Sequence, residues 1–257
     1  MFINHAYFFD DDAGMMGWRC PACYGGPVPF VNRKVRRGYM YQHRDWQGAL
    51  LDFPVNKVVC VGSNYSEHIR EMGSAKPAEP VLFIKPETAL CDLRQPVAIP
   101  KELGSVHHEV ELAVLIGTPL KQANEERVAR AIAGYGVALD LTLRDLQAGF
   151  KKAGQPWEKA KGFDGSCPVS GFIPVAEFGD PQQAELGIHV NGDVRQQGNT
   201  RDMITPILPL IAYMSRFFTL RAGDIILTGT PQGVGPLQPG DALTITLNDR
   251  TLTTHVI

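Results

Sequence analysis

The run Val106-His-His-Glu-Val-Glu-Leu-Ala-Val-Leu-Ile116 restricts the fold more than any other part of this chain. A β-strand repeats every two residues, so a strand over 106–117 puts Glu109 and Glu111 on one face. Val110, Leu112, Val114 and Ile116 then fill the other face, which a core has to cover. Two carboxylates side by side repel unless something positive lies between them. Lysine partners or solvent could meet that need, and so could a metal ion. A third carboxylate, Asp140, ends the apolar run Tyr135-Gly-Val-Ala-Leu139. A carboxylate closing a buried strand is costly unless it is paired or metal-bound. Three carboxylate oxygens with waters suit Mg²⁺ or Mn²⁺, which prefer octahedral oxygen donors. Such an ion does not need imidazole, so His107 and His108 read as packing or supporting residues beside it.

Short strand-like runs dominate the remaining pattern. Lys57-Val-Val-Cys-Val61 and Val81-Leu-Phe-Ile84 are strand candidates, as are 135–141, Ile225-Ile-Leu227 and 242–247. Asn191-Gly192 marks the turn of a hairpin over 186–198. Helices are few: 65–72 closed by Gly73, a short one over 126–134, and 203–218 with apolar residues on one face. Pro206 and Pro209 move the true start of that last helix late, since proline is tolerated only in a first turn. The stretch 154–167 reads as loop-rich. The fold class expected is α+β and mainly β. Residues 1–39 mix Gly, Pro, aromatics, an acidic triplet and a basic cluster without periodicity. They read as a poorly ordered N-terminal extension, with one working domain over 40–257.

Composition excludes some classes of function. With 44% hydrophobic and 20% charged residues and a formal charge of −2 over 257 residues, the chain is globular in profile. It lacks the strongly basic face of a nucleic-acid binder, the cluster Arg33, Lys34, Arg36 and Arg37 being short. No apolar run reaches the length of a membrane span, and the start lacks a secretory pattern. Five cysteines, an odd number, fit a reduced, cytoplasmic setting better than a disulfide framework. Cys20-Pro-Ala-Cys23 has no second pair at zinc-finger spacing.

Two further stretches carry chemistry. In Asn64-Tyr-Ser-Glu-His-Ile-Arg-Glu71, His68 and Glu71 are three apart and therefore neighbours on a helix face. A carboxylate beside an imidazole fixes its orientation, the arrangement used to activate water, although exposed His–Glu pairs are also common. The second stretch, Leu227-Thr-Gly-Thr-Pro-Gln-Gly-Val-Gly235, is glycine-rich without being a nucleotide P-loop. Its glycines permit close backbone approach, and Thr228 and Thr230 could offer hydroxyls to a small carboxylate.

Taken in order, several segments resemble the fumarylacetoacetate hydrolase superfamily, and specifically its short acylpyruvate hydrolase members. They are Val59-Cys-Val-Gly-Ser-Asn-Tyr65, Pro80-Val-Leu-Phe-Ile-Lys-Pro86, His107-His-Glu-Val-Glu-Leu112, Asp140-Leu-Thr-Leu-Arg-Asp145, Lys161 with Ser166-Cys-Pro168, and Leu227-Thr-Gly-Thr-Pro231 with Gly233-Val-Gly235. The resemblance covers roughly 40–257 and implies a mixed β-roll with few short helices, assembled as a homodimer. It implies metal ligation by Glu109, Glu111 and Asp140, and a catalytic set of His68, Glu71, Lys161 and Gln147, with the first two on a lid. Thr230, Arg144 and Lys85 are implied at the substrate. Related enzymes often carry arginine where this chain has Ser63. The implied reaction is Mg²⁺- or Mn²⁺-dependent hydrolysis of acylpyruvates, such as acetylpyruvate or fumarylpyruvate, to pyruvate and a carboxylic acid. The alternatives are decarboxylation or keto–enol tautomerisation of oxaloacetate, and isomerisation or decarboxylation in aromatic-compound degradation. A silent metal-binding module is disfavoured, since it would not need the His–Glu–Lys–Gln set. In every enzymatic reading the partner is a small 2-oxo acid.

Overall fold

A computed structural model describes residues 41–73 and 75–257. The expected extension 1–39, its basic cluster and the Cys20/Cys23 pair lie outside the described residues.

Two β-rich runs expected from sequence, Val58–Gly62 and Ile225–Leu227, lie side by side and parallel within a curled, mixed eight-stranded sheet. From Ile225–Leu227 the sheet continues through Val110–Ile116, Ile132–Leu139, Cys167–Val169 and Leu90–Asp92. Val81–Lys85 closes the other edge, and Ile173–Pro174 pairs with the 132–139 strand. Alternation works as expected along Val110–Ile116. Val110, Leu112, Val114 and Ile116 join one apolar cluster, while Ala113 and Leu115 join a second on the opposite face. Both faces are therefore covered, which explains why this strand is apolar at nearly every position.

A four-stranded antiparallel sheet holds the hairpin Glu185–Val190 and Asp193–Asn199 with Ala242–Leu247 and Arg250–His255. Asn191 and Gly192 both have positive φ, as the tight turn requires. The helix Ile207–Phe217 begins after Pro206 and buries Ile207, Leu210, Ile211 and Met214. No helix among the described residues is long and apolar enough to cross a membrane.

Sequence alternation misjudged the segment 106–117, which is not one strand. Val106–His108 belongs to a small sheet with Thr142–Leu143 and Gly235–Pro236, whereas Val110–Ile116 belongs to the main sheet. Glu109 is the crossing point between them. The neighbouring chain makes the reverse crossing at Asp140, between Ile132–Leu139 and Thr142–Leu143, and the Asp140 N–H donates to the Glu109 carbonyl at 2.8 Å. An alternating pattern looks the same on either side of such a crossing, so sequence alone does not reveal it.

Other boundaries also move. The helix expected over 126–134 is Glu125–Ala131, and the strand expected over 135–141 already begins at Ile132. The loop-rich stretch contains the helix Glu158–Lys161, and the helix Arg144–Ala153 precedes it. Cys60, Cys91 and Cys167 are free thiols, with Cys60 and Cys167 buried.

Candidate active site

The double crossing brings two carboxylates together at one seam, and Glu111 follows one residue pair along the same strand. One oxygen from each of Glu109, Glu111 and Asp140 falls within 4.8 Å of the other two, and all three residues are buried. Their surroundings explain how they tolerate one another. Lys161 donates to Glu109 at 2.7 Å and to Asp140 at 2.6 Å. Arg144 pairs with the other Glu109 oxygen. The Gly229 N–H donates to Glu111 at 2.7 Å. A Cβ at Gly229 would stand 2.7 Å from the Asn64 Cβ, and its φ is +96°, so glycine is needed for this approach. Lysine partners and a metal were both open readings of these acids; the lysine is now evident, and the donor set also suits a hard divalent ion. The Asp140 Oδ1 has no aligned hydrogen bond, only ion-pair contact with Lys85 at 2.8 Å.

Titration behaviour divides the three acids. Burial tends to raise the Glu109 carboxyl, but Lys161 and Arg144 outweigh it and hold it well below the usual range. Burial, then the charges of Asp140 and Glu109, push Glu111 well above its usual range. Burial works against the Lys161 ammonium, yet Asp140 and Glu109 raise it overall, so it stays charged. His107 is lowered to about 4 by burial and by Arg144, and His108 is lowered by burial. Both are neutral imidazoles near pH 7, in keeping with a supporting role.

A small cavity opens over the acids and takes in His68, Arg144, Gln147, Lys161 and Thr230 from the expected set. His68 lies on the helix Ser66–Glu71, with its Nδ1 3.1 Å from Glu71 Oε2. A carboxylate can only accept, so Nδ1 carries the hydrogen and Nε2 is left to exchange a proton. The other Glu71 oxygen accepts the Gly233 N–H at 3.0 Å. That glycine has φ +96° and lies against the Arg195 carbonyl, where any Cβ would clash. The Gln147 carbonyl accepts from Arg144 at 2.7 Å, leaving its amide N–H groups as donors. Thr230 gives its hydroxyl proton to the Val110 carbonyl at 2.9 Å, so its free role toward a ligand is as a cavity wall.

Two expectations need correction. Lys85 does not reach the cavity. It is fully buried behind Asp140, where its ammonium donates to the carbonyls of Leu141 (3.3 Å), Ser166 (3.0 Å) and Lys161 and to the Ser166 hydroxyl. The Thr228 hydroxyl is likewise spent on the Leu112 carbonyl at 3.0 Å, away from any ligand.

Sequence reading missed Gln196 altogether. From the hairpin strand, its carbonyl oxygen accepts the Val110 N–H at 3.0 Å and lies 2.9 Å from His108 Nδ1. Its amide donates to Thr230 Oγ1 and to the Pro231 carbonyl, both at 2.8 Å. This satisfied, buried amide ties three segments around the seam. Nothing in the polar run Asp193-Val-Arg-Gln-Gln-Gly-Asn199 distinguishes it from Gln197 except the inward parity of its position. Phe83, Lys151 and Trp157 also line the cavity without having been expected there.

An acidic triad on a curled mixed sheet thus shares a small cavity with an imidazole–carboxylate pair, a donor set that could hold a metal ion. The model for the fumarylacetoacetate (FAA) hydrolase C-terminal family matches residues 57–257, and the chain belongs to that family. It is 74% identical over 219 residues to the oxaloacetate tautomerase YcgM of Escherichia coli K12, covering 85% of this chain and 100% of that one. It is 46% identical over 186 residues to the human mitochondrial oxaloacetate tautomerase FAHD1, covering 72% and 84% respectively. The crystal structure of fumarylpyruvate hydrolase from Pseudomonas aeruginosa in complex with Mn²⁺ and pyruvate superposes with a TM-score of 0.79 at 35% identity, covering 85% of this chain and 96% of that one.

Proposed function

We propose that this chain is an oxaloacetate keto–enol tautomerase, with a divalent ion, Mg²⁺ or Mn²⁺, held by Glu109, Glu111 and Asp140. The observation that carries this reading is the convergence of a proton-exchanging imidazole and a three-carboxylate cluster on one cavity. When bound, the ion would act as a Lewis acid on the 2-oxo group and lower the cost of removing a neighbouring proton.

The side chains divide the remaining work. His68, oriented by Glu71, takes a proton from C3 through Nε2 and returns one in the reverse direction. Gln147 offers its amide N–H groups to the substrate oxygens. Lys161 keeps its charge beside Glu109 and Asp140, where it supports negative charge developing on the oxo oxygen. Arg144 fixes both Glu109 and the Gln147 amide.

Hydrolysis of acylpyruvates, the reaction expected first from sequence, becomes the second reading. The similarity to a fumarylpyruvate hydrolase keeps it in play, but at 35% identity against 74% for a tautomerase. The same pair would then activate a water instead of moving the C3 proton. The homodimer belongs to the same proposal and is tested by sedimentation. The functional test assays oxaloacetate, acetylpyruvate and fumarylpyruvate with Mg²⁺ or Mn²⁺, before and after chelation. Metal-dependent equilibration of enol-oxaloacetate should have the highest kcat/KM. Faster metal-dependent cleavage of an acylpyruvate would make the hydrolase the main activity.

A further inference from the structure

The helix Arg144–Ala153 presents Arg144, Gln147 and Lys151 at spacings of three and four, hence on one face, and all three line the cavity. Arg144 is committed to Glu109, and the Gln147 carbonyl to Arg144. Lys151 stands about 10 Å further along the axis, by the ordinary helical rise. Its ammonium lies 5.2 Å above the Trp157 ring. Trp157 is itself braced, with its ring 5.9 Å from that of Phe83 and close against Gly62. Unlike Lys85 and Lys161, Lys151 pairs with no carboxylate among the described residues. The positive groups at the floor are matched by acids, but this one at the rim is not.

The geometry points to Lys151, seated on Trp157, as the group that receives the second carboxylate of a dicarboxylic 2-oxo acid. This rests on the reading above that a 2-oxo acid occupies the cavity. The end of the substrate bearing its carboxylate and oxo groups lies at the acidic floor. A carboxylate at the other end then extends up the face of the helix toward Lys151. An ammonium over an aromatic face keeps donors free for such a partner, and the ring excludes water from one side. Lys151 would thus set substrate class, favouring dicarboxylic over monocarboxylic 2-oxo acids, without taking part in proton transfer.

The test compares oxaloacetate with 2-oxobutyrate, which has a methyl group in place of the distal carboxylate. Both are followed in the parent, K151M and K151R by C3 proton exchange in D₂O and by ligand-observed NMR titration of the Mn²⁺- or Mg²⁺-loaded protein. K151M should weaken oxaloacetate relative to 2-oxobutyrate by about tenfold in kcat/KM and in affinity, mainly through KM, and K151R should restore most of the preference. Equal losses for both acids, or an unchanged preference, would overturn the assignment even if tautomerisation persists. If neither acid is turned over but the parent prefers oxaloacetate and K151M does not, the tautomerase reading fails and the role of Lys151 stands.

Discussion

Glu109, Glu111 and Asp140 at the floor of the cavity and His68 and Glu71 at its rim belong to one site but are supported very differently. Each floor carboxylate sits on or beside a strand and has at least one close fixed partner: Arg144 and Lys161, the Gly229 N–H, or Lys85 and Lys161. The rim pair rides on a helix of six residues, too short to be stable alone. His68 is held there through Glu71, and Glu71 through a single backbone N–H. The contrast fits the two tasks proposed for them. A metal cluster needs donors fixed before the ion arrives, whereas a proton-transferring pair has to admit substrate and close over it.

The largest expected effect comes from the floor. Asp140→Asn or Glu109→Gln should abolish measurable Mg²⁺ or Mn²⁺ binding and lower turnover by about 10³-fold or more, with the fold retained. Calorimetry and circular dichroism on the same samples check both halves. Unchanged metal affinity in both variants would remove the metal assignment.

Next comes Lys85, which distinguishes a buried support from a substrate contact. Lys85→Met leaves Asp140 with one cation fewer and takes one donor from each of the carbonyls of Leu141, Lys161 and Ser166. Breaking a buried pair in this way costs about 3–5 kcal/mol, so the melting temperature should fall markedly. A variant with parent stability and only a raised KM would return Lys85 to the substrate side.

A smaller effect follows from Glu111. Its carboxyl is raised above the ordinary 4.5 by burial, then by Asp140 and Glu109, so it keeps a proton where an exposed glutamate has lost one. Because the shift is upward in the folded state, its contribution to metal-free stability is fully present at low pH and is lost as pH rises through the shifted value. A divalent ion has to displace that proton. Affinity should therefore rise with pH, and binding should release protons, seen as buffer-dependent calorimetric enthalpy. Glu111→Gln should remove the proton release, and a buffer-independent enthalpy in the parent would contradict it. The smallest effect is expected from a chain beginning at Met40, which should keep activity and melting temperature. The Escherichia coli relative is matched over its whole length by 219 residues of this chain. A large loss in either property would assign residues 1–39 a structural role.

How far the sequence was legible follows the same division. Strands with strict alternation or full burial, the Asn191–Gly192 turn and the proline-delayed helix are local features, and local rules found them. The triad was legible because a period of two and a strand-ending acid are visible in one dimension. The crossing at Glu109 and Asp140 was not, since it depends on which sheet each half joins. Lys85 was misassigned because a lysine in a motif looks the same whether it faces substrate or holds the carbonyls of Leu141, Lys161 and Ser166. Lys151 and Trp157 were missed because the helix Arg144–Ala153 was not foreseen, and without it the spacing of Arg144, Gln147 and Lys151 carries no message.

The most direct test of the site is C3 proton exchange of oxaloacetate in D₂O, followed by NMR in the parent and in His68→Ala at saturating Mg²⁺. With His68 moving the C3 proton, the variant should exchange about 10²- to 10⁴-fold more slowly while binding metal as the parent does, because His68 is not a ligand. Exchange at the parental rate in a metal-loaded His68→Ala protein would contradict the assignment of that proton to the rim.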